Sequence, residues 1–178
     1  MHVKAKAIAF GGLALALSIV FMALGSVIES NTLFLLAAAS YFVGIVVREF
    51  GLKTGAAFYV AAVLLGLLIA PNKFYVISYG AMGLYILVVE TVWKVMSGGS
   101  VKFQRRWIFW VVKYFVFNLL FIPALFFFQD FFFSQSLSSA AVLGIVAGGQ
   151  FGLGIYDQAY EYVQRHLWGK YRRYFFMS

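Results

Sequence analysis

The sequence predicts an all-α integral membrane protein built as a bundle of six transmembrane helices. Of its 178 residues, 63% are hydrophobic and only 11% are charged, and the mean hydropathy is +0.90. A soluble domain of this length cannot bury so much apolar surface, so most of the chain must have lipid as its solvent. Long apolar runs alternate with short polar breaks. In lipid such a run satisfies its own backbone hydrogen bonds only as a helix.

The polar breaks set the predicted helix boundaries within a single transmembrane domain, residues 1–178. Helices are predicted over 8–28, 33–50, 55–70, 74–93, 107–128 and 138–160, followed by a basic tail over 161–178. The first run is longer than the roughly 7–15 apolar residues of a secretory signal, so we expect a retained helix. The second and third runs are shorter than the about 20 residues of an ordinary span. They predict either a depression open to the outside or hydrophobic mismatch with snorkelling ends.

The distribution of basic residues predicts the orientation. If both termini are cytoplasmic, Lys73 is the only one of the 14 Lys and Arg residues on the outer side. Cytoplasmic loops are enriched in these residues, so we expect a multi-pass protein of the bacterial plasma membrane with both ends inside. The net charge of +8 then reflects topology and attraction to anionic lipid headgroups. We therefore expect the lipid bilayer, and no nucleic acid, as a partner.

The outer corner Pro71-Asn72-Lys73 joins predicted helices three and four. Pro71 ends the incoming helix because it lacks a backbone donor and disfavours helix in the residue before it. Lys73, the lone outer cation, is the first candidate for pairing with a carboxylate or phosphate of a substrate. The alternative is that Lys73 snorkels at the interface.

Aromatic and amide side chains surround this corner. Six phenylalanines between Phe126 and Phe133 bracket Gln129 and Asp130, and they either anchor a helix in the bilayer or stack on a flat ligand. Asn118 lies midway along helix five, where its amide either contacts a solute or ties two helices together. The candidate substrate-binding residues are Asn31, Asn72, Lys73, Tyr75, Tyr79, Asn118 and Gln129.

Two helices carry faces of small residues, which let helix backbones approach closely in lipid. The face of helix one includes Ala7, Gly11, Gly12 and Ala16. It either packs against internal helices or meets another protein. The face of helix six, Gly144, Gly148 and Gly152, predicts a tight crossing with another helix, with oligomerisation as the alternative.

Three ionisable residues are predicted near the cytoplasmic ends of helices four, five and six. Glu90, Lys113 and Asp157 are expected to form one intramembrane ion cluster, because charges at such depth find partners. The cluster is interpreted as a structural link between three helices, and a proton or ion relay is the alternative.

The remaining chemistry is limited by what the sequence lacks. It has no cysteine, and its two histidines, His2 and His166, lie near opposite ends, so neither a metal nor a cofactor is expected. It has no nucleophile elbow and no phosphate-cradling Gly-Lys-Ser or Gly-Lys-Thr run. We therefore expect a protein that is not an enzyme and does not hydrolyse ATP by a P-loop mechanism.

The chain as a whole resembles the substrate-binding S components of energy-coupling factor transporters. The likeness is carried by the length, the six helices, and Ala7-x-x-x-Gly11 with Gly12-x-x-x-Ala16 in helix one. The stretch 67–73, together with Ile155-Tyr156-Asp157 in the last helix, also resembles small bacterial membrane proteins of similar topology. The resemblance implies an S-component-like fold that captures a vitamin-like micronutrient in an outward pocket. It also implies partners, namely a membrane scaffold subunit and cytoplasmic ATPase subunits.

Two other functions stay open. One is a structural membrane protein that scaffolds a cell-envelope complex, like the rod-shape protein MreD, which is thought to share this type of fold. The other is a self-contained ion- or proton-coupled carrier that uses Glu90, Lys113 and Asp157.

Overall fold

The computed structural model describes residues 2–97, 102–132 and 138–176, all of them in helices or short connections. The helices are α1 (His2–Val27), α2 (Thr32–Phe50), α3 (Leu52–Ile69), α4 (Lys73–Ser97), α5 (Lys102–Phe132), α6 (Ser139–Tyr162) and α7 (Gly169–Phe176). A 3-10 turn, Glu29–Asn31, precedes α2, and a π-helical segment, Val163–Trp168, joins α6 to α7. Six helices in the described part of the chain are long and apolar enough to cross a membrane. The predicted all-α class and the number of spans are confirmed.

Most helices are longer than the apolar runs that predicted them. α4 continues to Ser97 and α5 begins at Lys102. The residues predicted as a basic tail are helical as far as Phe176, because the π-helical segment continues α6 without a break. One side of this extension contacts α2, with Gln164 donating to the Tyr41 carbonyl at 3.4 Å. Hydropathy does not detect such an extension, since its residues are polar.

The core is a four-helix unit made of α1, α2, α3 and α4. Its fully buried residues include Met22, Val43 and Ile86. Ser18 of α1 is also fully buried and donates to the Ala39 carbonyl of α2 at 3.3 Å. Gly51, with φ of +89°, is the single residue between α2 and α3, and its conformation lets α3 fold back along α2.

The last two spans pack less tightly than the core. In the most apolar stretch of α2, half of the residues are buried within the protein. In the corresponding stretches of α5 and α6, only 11% of the residues are buried. Few residues of α6 lie close to α5 or α2, so this side of the bundle is not filled by side chains. The looser packing leaves a large space between α2, α4, α5 and α6.

Candidate functional site

This space is a cavity of about 1610 Å³. It exceeds the roughly 300–1,000 Å³ of ordinary ligand pockets. It follows α6 and the π-helical segment from Ile145 to Leu167, a distance of about 33 Å at about 1.5 Å per residue. That is about the thickness of the hydrocarbon core of a bilayer.

Small side chains keep the cavity open. Ala38 of α2, Ala81 of α4 and Ala124 of α5 line it, and aromatic rings such as Phe42 and Phe117 form much of the remaining wall. Where α5 meets α6, the ring of Phe121 occupies the space above Gly149, and a Cβ there would lie 2.6 Å from the ring. The glycine thus permits the one close approach while the alanines leave volume elsewhere.

Three tyrosines with hydrogen-bonded hydroxyl groups line this wall, namely Tyr41, Tyr85 and Tyr156. Tyr41 donates to the Tyr156 carbonyl at 3.1 Å, and the Tyr156 hydroxyl lies 2.8 Å from Ser40 Oγ. Tyr85 donates to Asp157 at 3.3 Å. Because these hydroxyls already have partners in the protein, they offer a ligand only their remaining hydrogen-bonding capacity.

Asp157 lies beside the cavity in a buried ion pair with Lys113. The Lys113 ammonium donates to Asp157 Oδ2 at 2.8 Å, and both side chains are 4% exposed. The ammonium also lies 4.4 Å from the ring centroid of Phe109 and 5.1 Å from that of Trp110, which adds cation–π attraction. The pair joins α5 to α6, and Tyr85 joins both helices to α4.

Glu90 belongs to a second, separate group. Its Oε1 accepts from Arg48 at 2.5 and 2.9 Å and from the Tyr160 hydroxyl at 2.7 Å. The single cluster predicted for Glu90, Lys113 and Asp157 is therefore two groups, with Arg48 as the partner of Glu90. Each carboxylate is paired with a cation and bonded to a tyrosine, which is the arrangement that a buried charge requires.

The corner Pro71-Asn72-Lys73 between α3 and α4 is occupied by capping interactions. Lys73 Nζ donates to the carbonyls of Leu67 and Ala70 at 2.5 and 2.8 Å, which satisfies acceptors left open at the end of α3. Asn72 Oδ1 accepts from the backbone N–H of Phe74 at 3.0 Å, at the start of α4. Both side chains thus bond to the backbone, and neither lines the cavity.

Four other candidate substrate-binding residues do not line the cavity either. Tyr79 is fully buried, and its hydroxyl has no hydrogen-bond partner among the described residues. Tyr75 packs partly buried against the core, and Asn31 is exposed and makes no side-chain cap to α2. Asn118 forms a reciprocal amide pair with Gln150 at 2.7 and 3.1 Å, which ties α5 to α6. The side chain of Gln129 lies outside the described residues.

The two faces of small residues differ in what they contact. On α1, Gly12 and Ala16 line a shallow groove of about 400 Å³ together with Leu65 and Ile69 of α3. A Cβ added at Gly11 or Gly12 would meet nothing within 4 Å. The side chain of Ala7 lies outside the described residues.

The face on α6 makes no tight crossing with another described helix. A Cβ added at Gly144, Gly148 or Gly152 would meet nothing within 4 Å, and all three positions are exposed. The crossing predicted from this spacing is therefore not formed within the described part of the chain.

The tyrosines of the cavity wall and Arg48 are the site residues that the sequence did not reveal. One signal was present, since Tyr156, Asp157, Gln158 and Tyr160 place four polar groups within five residues of a largely apolar helix. In lipid such groups face the bundle interior.

A helical bundle with six candidate spans defines a multi-pass membrane protein. Comparisons with family models, with curated proteins and with solved structures give no match to this chain.

Proposed function

We propose that this protein is a membrane-embedded solute-binding subunit for the uptake of a vitamin-like micronutrient. The observation that carries the proposal is the cavity of about 1610 Å³ between α2, α4, α5 and α6. Binding sites for small molecules are concave and mostly apolar, with a few placed polar groups, and this cavity fits that description. The protein lies in the bacterial plasma membrane with both termini cytoplasmic, in keeping with its basic-residue distribution.

Energy for uptake comes from partner subunits, since the chain carries no phosphate-cradling motif. The partners are a membrane scaffold subunit and cytoplasmic ATPases, as in the energy-coupling factor transporters whose S components the chain resembles. The groove beside Gly12 and Ala16 supports this, because it gives a scaffold helix close access to the backbone of α1.

A second candidate function is a structural role in a cell-envelope complex, of the kind proposed for MreD. The glycine face of α6 favours it, because Gly144 and Gly148 are exposed and lie open to a helix of another protein, whereas Gly152 lines the cavity. In this case the cavity holds ordinary membrane lipid and no specific solute.

The test is to purify the protein in native membrane nanodiscs and identify the co-purified proteins and small molecules by mass spectrometry. We expect ATPase and scaffold subunits together with one enriched small molecule. Ala81→Trp places an indole in the cavity and should remove the small molecule, whereas Ala57→Trp, on the exposed side of α3, should not. Cell-wall proteins as partners and bulk lipid alone in the cavity would support the structural role instead.

A further inference from the structure

We infer that the solute is an uncharged molecule with a long apolar chain, which enters the cavity sideways from the lipid. This inference rests on the proposed function and specifies its substrate class. It departs from the sequence prediction of an anionic solute held by Lys73.

The charges around the cavity favour an uncharged solute. No charged side chain of the described residues is among those that line the cavity. The nearby charges are already paired, Lys113 with Asp157 and Arg48 with Glu90. Lys73 is committed to the end of α3. A charged solute would be buried among apolar groups without a counter-ion, which disfavours its binding.

The shape of the cavity favours an extended solute. The cavity is elongated and runs along α6 for about the thickness of the hydrocarbon core. A compact vitamin fills a small part of such a volume, whereas an extended alkyl or isoprenoid chain fills its length. Chains of this kind are also the solutes that a bilayer already concentrates.

The exposed residues of the cavity lining indicate how the solute enters. Phe34 of α2 and Ile155 and Tyr162 of α6 line the cavity and are 73%, 59% and 57% exposed. The cavity is therefore open to the outside of the bundle beside these three residues. Both helices are candidate membrane spans, so this opening faces lipid and not water.

The polar end of the solute requires only one or two hydrogen bonds. Ser78 and Gln158 line the cavity and make no hydrogen bond to another described residue. A hydroxyl or carbonyl group matches either side chain. Tyr41 and Tyr156 also line the cavity and offer further acceptor capacity.

The probes are a diazirine-bearing alcohol of hexadecanol length and the matching alkyl sulfate, which is charged at every pH. Each is incorporated in turn into phosphatidylcholine nanodiscs holding the full-length protein, irradiated, and mapped by peptide mass spectrometry. We expect the alcohol to label peptides of α4 and α6 that line the cavity, at least tenfold more than the sulfate does. Excess unlabelled hexadecanol should remove this labelling.

Two cavity variants and one control make the result specific. Ala81→Trp on α4 and Ala38→Trp on α2 each fill the cavity, so either one should lower the labelling at least fivefold. Ala57→Trp on the exposed face of α3 should leave it unchanged. Thermal unfolding of each variant identifies any that fails to fold. If one cavity variant does not fold, the labelling of the other one tests the inference.

Three results would overturn the inference. They are labelling by the sulfate equal to that by the alcohol, labelling spread over all lipid-facing helices, and labelling unaffected by either cavity variant. A panel of water-soluble vitamins separates this failure from that of the proposed function. A vitamin that stabilises the wild type but not Ala81→Trp keeps the proposed function and refutes the long-chain solute. If neither the alcohol nor any vitamin binds in the cavity, both the long-chain solute and the proposed function are refuted.

Discussion

Lys113 of α5 donates to Asp157 of α6 at 2.8 Å, and both side chains are almost fully buried. The other oxygen of the same carboxylate accepts from Tyr85 of α4 at 3.3 Å. One carboxylate therefore links three helices of which two pack loosely along the rest of their length. The pair joins α5 to α6 beside the cavity, in addition to the Asn118–Gln150 amide pair and the contact of Phe121 with Gly149.

Removing the cation of this pair should destabilise the protein strongly. We expect Lys113→Met to lower the free energy of unfolding by about 3–5 kcal/mol, because it leaves the Asp157 carboxylate buried without a counter-ion. Thermal or denaturant unfolding in detergent measures the change. Lys53→Met is the control, since Lys53 is exposed and lies in no ion pair of the described residues.

Removing both charges separates a structural pair from an ion relay. The double variant Lys113→Met with Asp157→Leu should recover most of the stability lost in Lys113→Met, because no unpaired charge remains. It should also keep solute binding within about twofold of the wild type. A double variant that is stable and binds its solute but no longer transports it would favour the carrier hypothesis.

Tyr160 should contribute through its hydroxyl, which donates to Glu90 at 2.7 Å. We expect Tyr160→Phe to cost about 1.5–3 kcal/mol, the usual range for a hydrogen bond to a charged group. Arg48 stays paired with Glu90 in this variant, so the protein should still fold. Unfolding measurements compare it with Tyr162→Phe, which removes an exposed hydroxyl from the same helix. Equal effects of the two variants would contradict the role of the hydrogen bond.

Lys73 should act on stability and not on binding. Lys73→Ala removes two donors from the end of α3, and we expect a loss of about 0.5–1.5 kcal/mol per hydrogen bond. Binding of the long-chain alcohol should change less than twofold. Parallel unfolding and photolabelling measurements check both statements. If instead the variant is as stable as the wild type and loses an anionic ligand, Lys73 is the substrate cation that the sequence predicts.

The fold was predictable because lipid imposes a severe constraint on the backbone. Every apolar run had to become a helix, so hydropathy alone located all six spans. The helical extension beyond residue 160 was missed because its polar residues carry no such signal. Contacts from Gln164 and Trp168 to α2 hold it in place.

The site was less predictable because hydropathy does not report how a helix is rotated about its axis. The depth of Lys113 and Asp157 placed them together correctly, whereas Glu90 at similar depth faces Arg48 of α2. For Lys73, the sequence shows an isolated cation but not that the backbone carbonyls of Leu67 and Ala70 lie within its reach as acceptors. The cavity itself arises from loose packing of α5 and α6, which no local pattern in the sequence encodes.

Gly44 shows how one glycine sets the position of α6 against α2. A methyl carbon on Gly44 would lie 2.6 Å from Cζ of Tyr160 and still closer to its hydroxyl, so the ring would have to move. Since that hydroxyl also donates to Glu90, we expect Gly44→Ala to cost about 1–3 kcal/mol, as overpacking does. It should also shift α6 enough to alter photolabelling of the cavity.

Gly148→Ala on α6 is the matched control for this prediction. Its added methyl would meet nothing within 4 Å, so the isolated protein should be as stable as the wild type or more so. Unfolding of both variants in the same nanodiscs gives the comparison. A stable Gly44→Ala protein with unchanged labelling would show that Tyr160 repacks freely. The link between Glu90, Tyr160 and the position of α6 would then be lost.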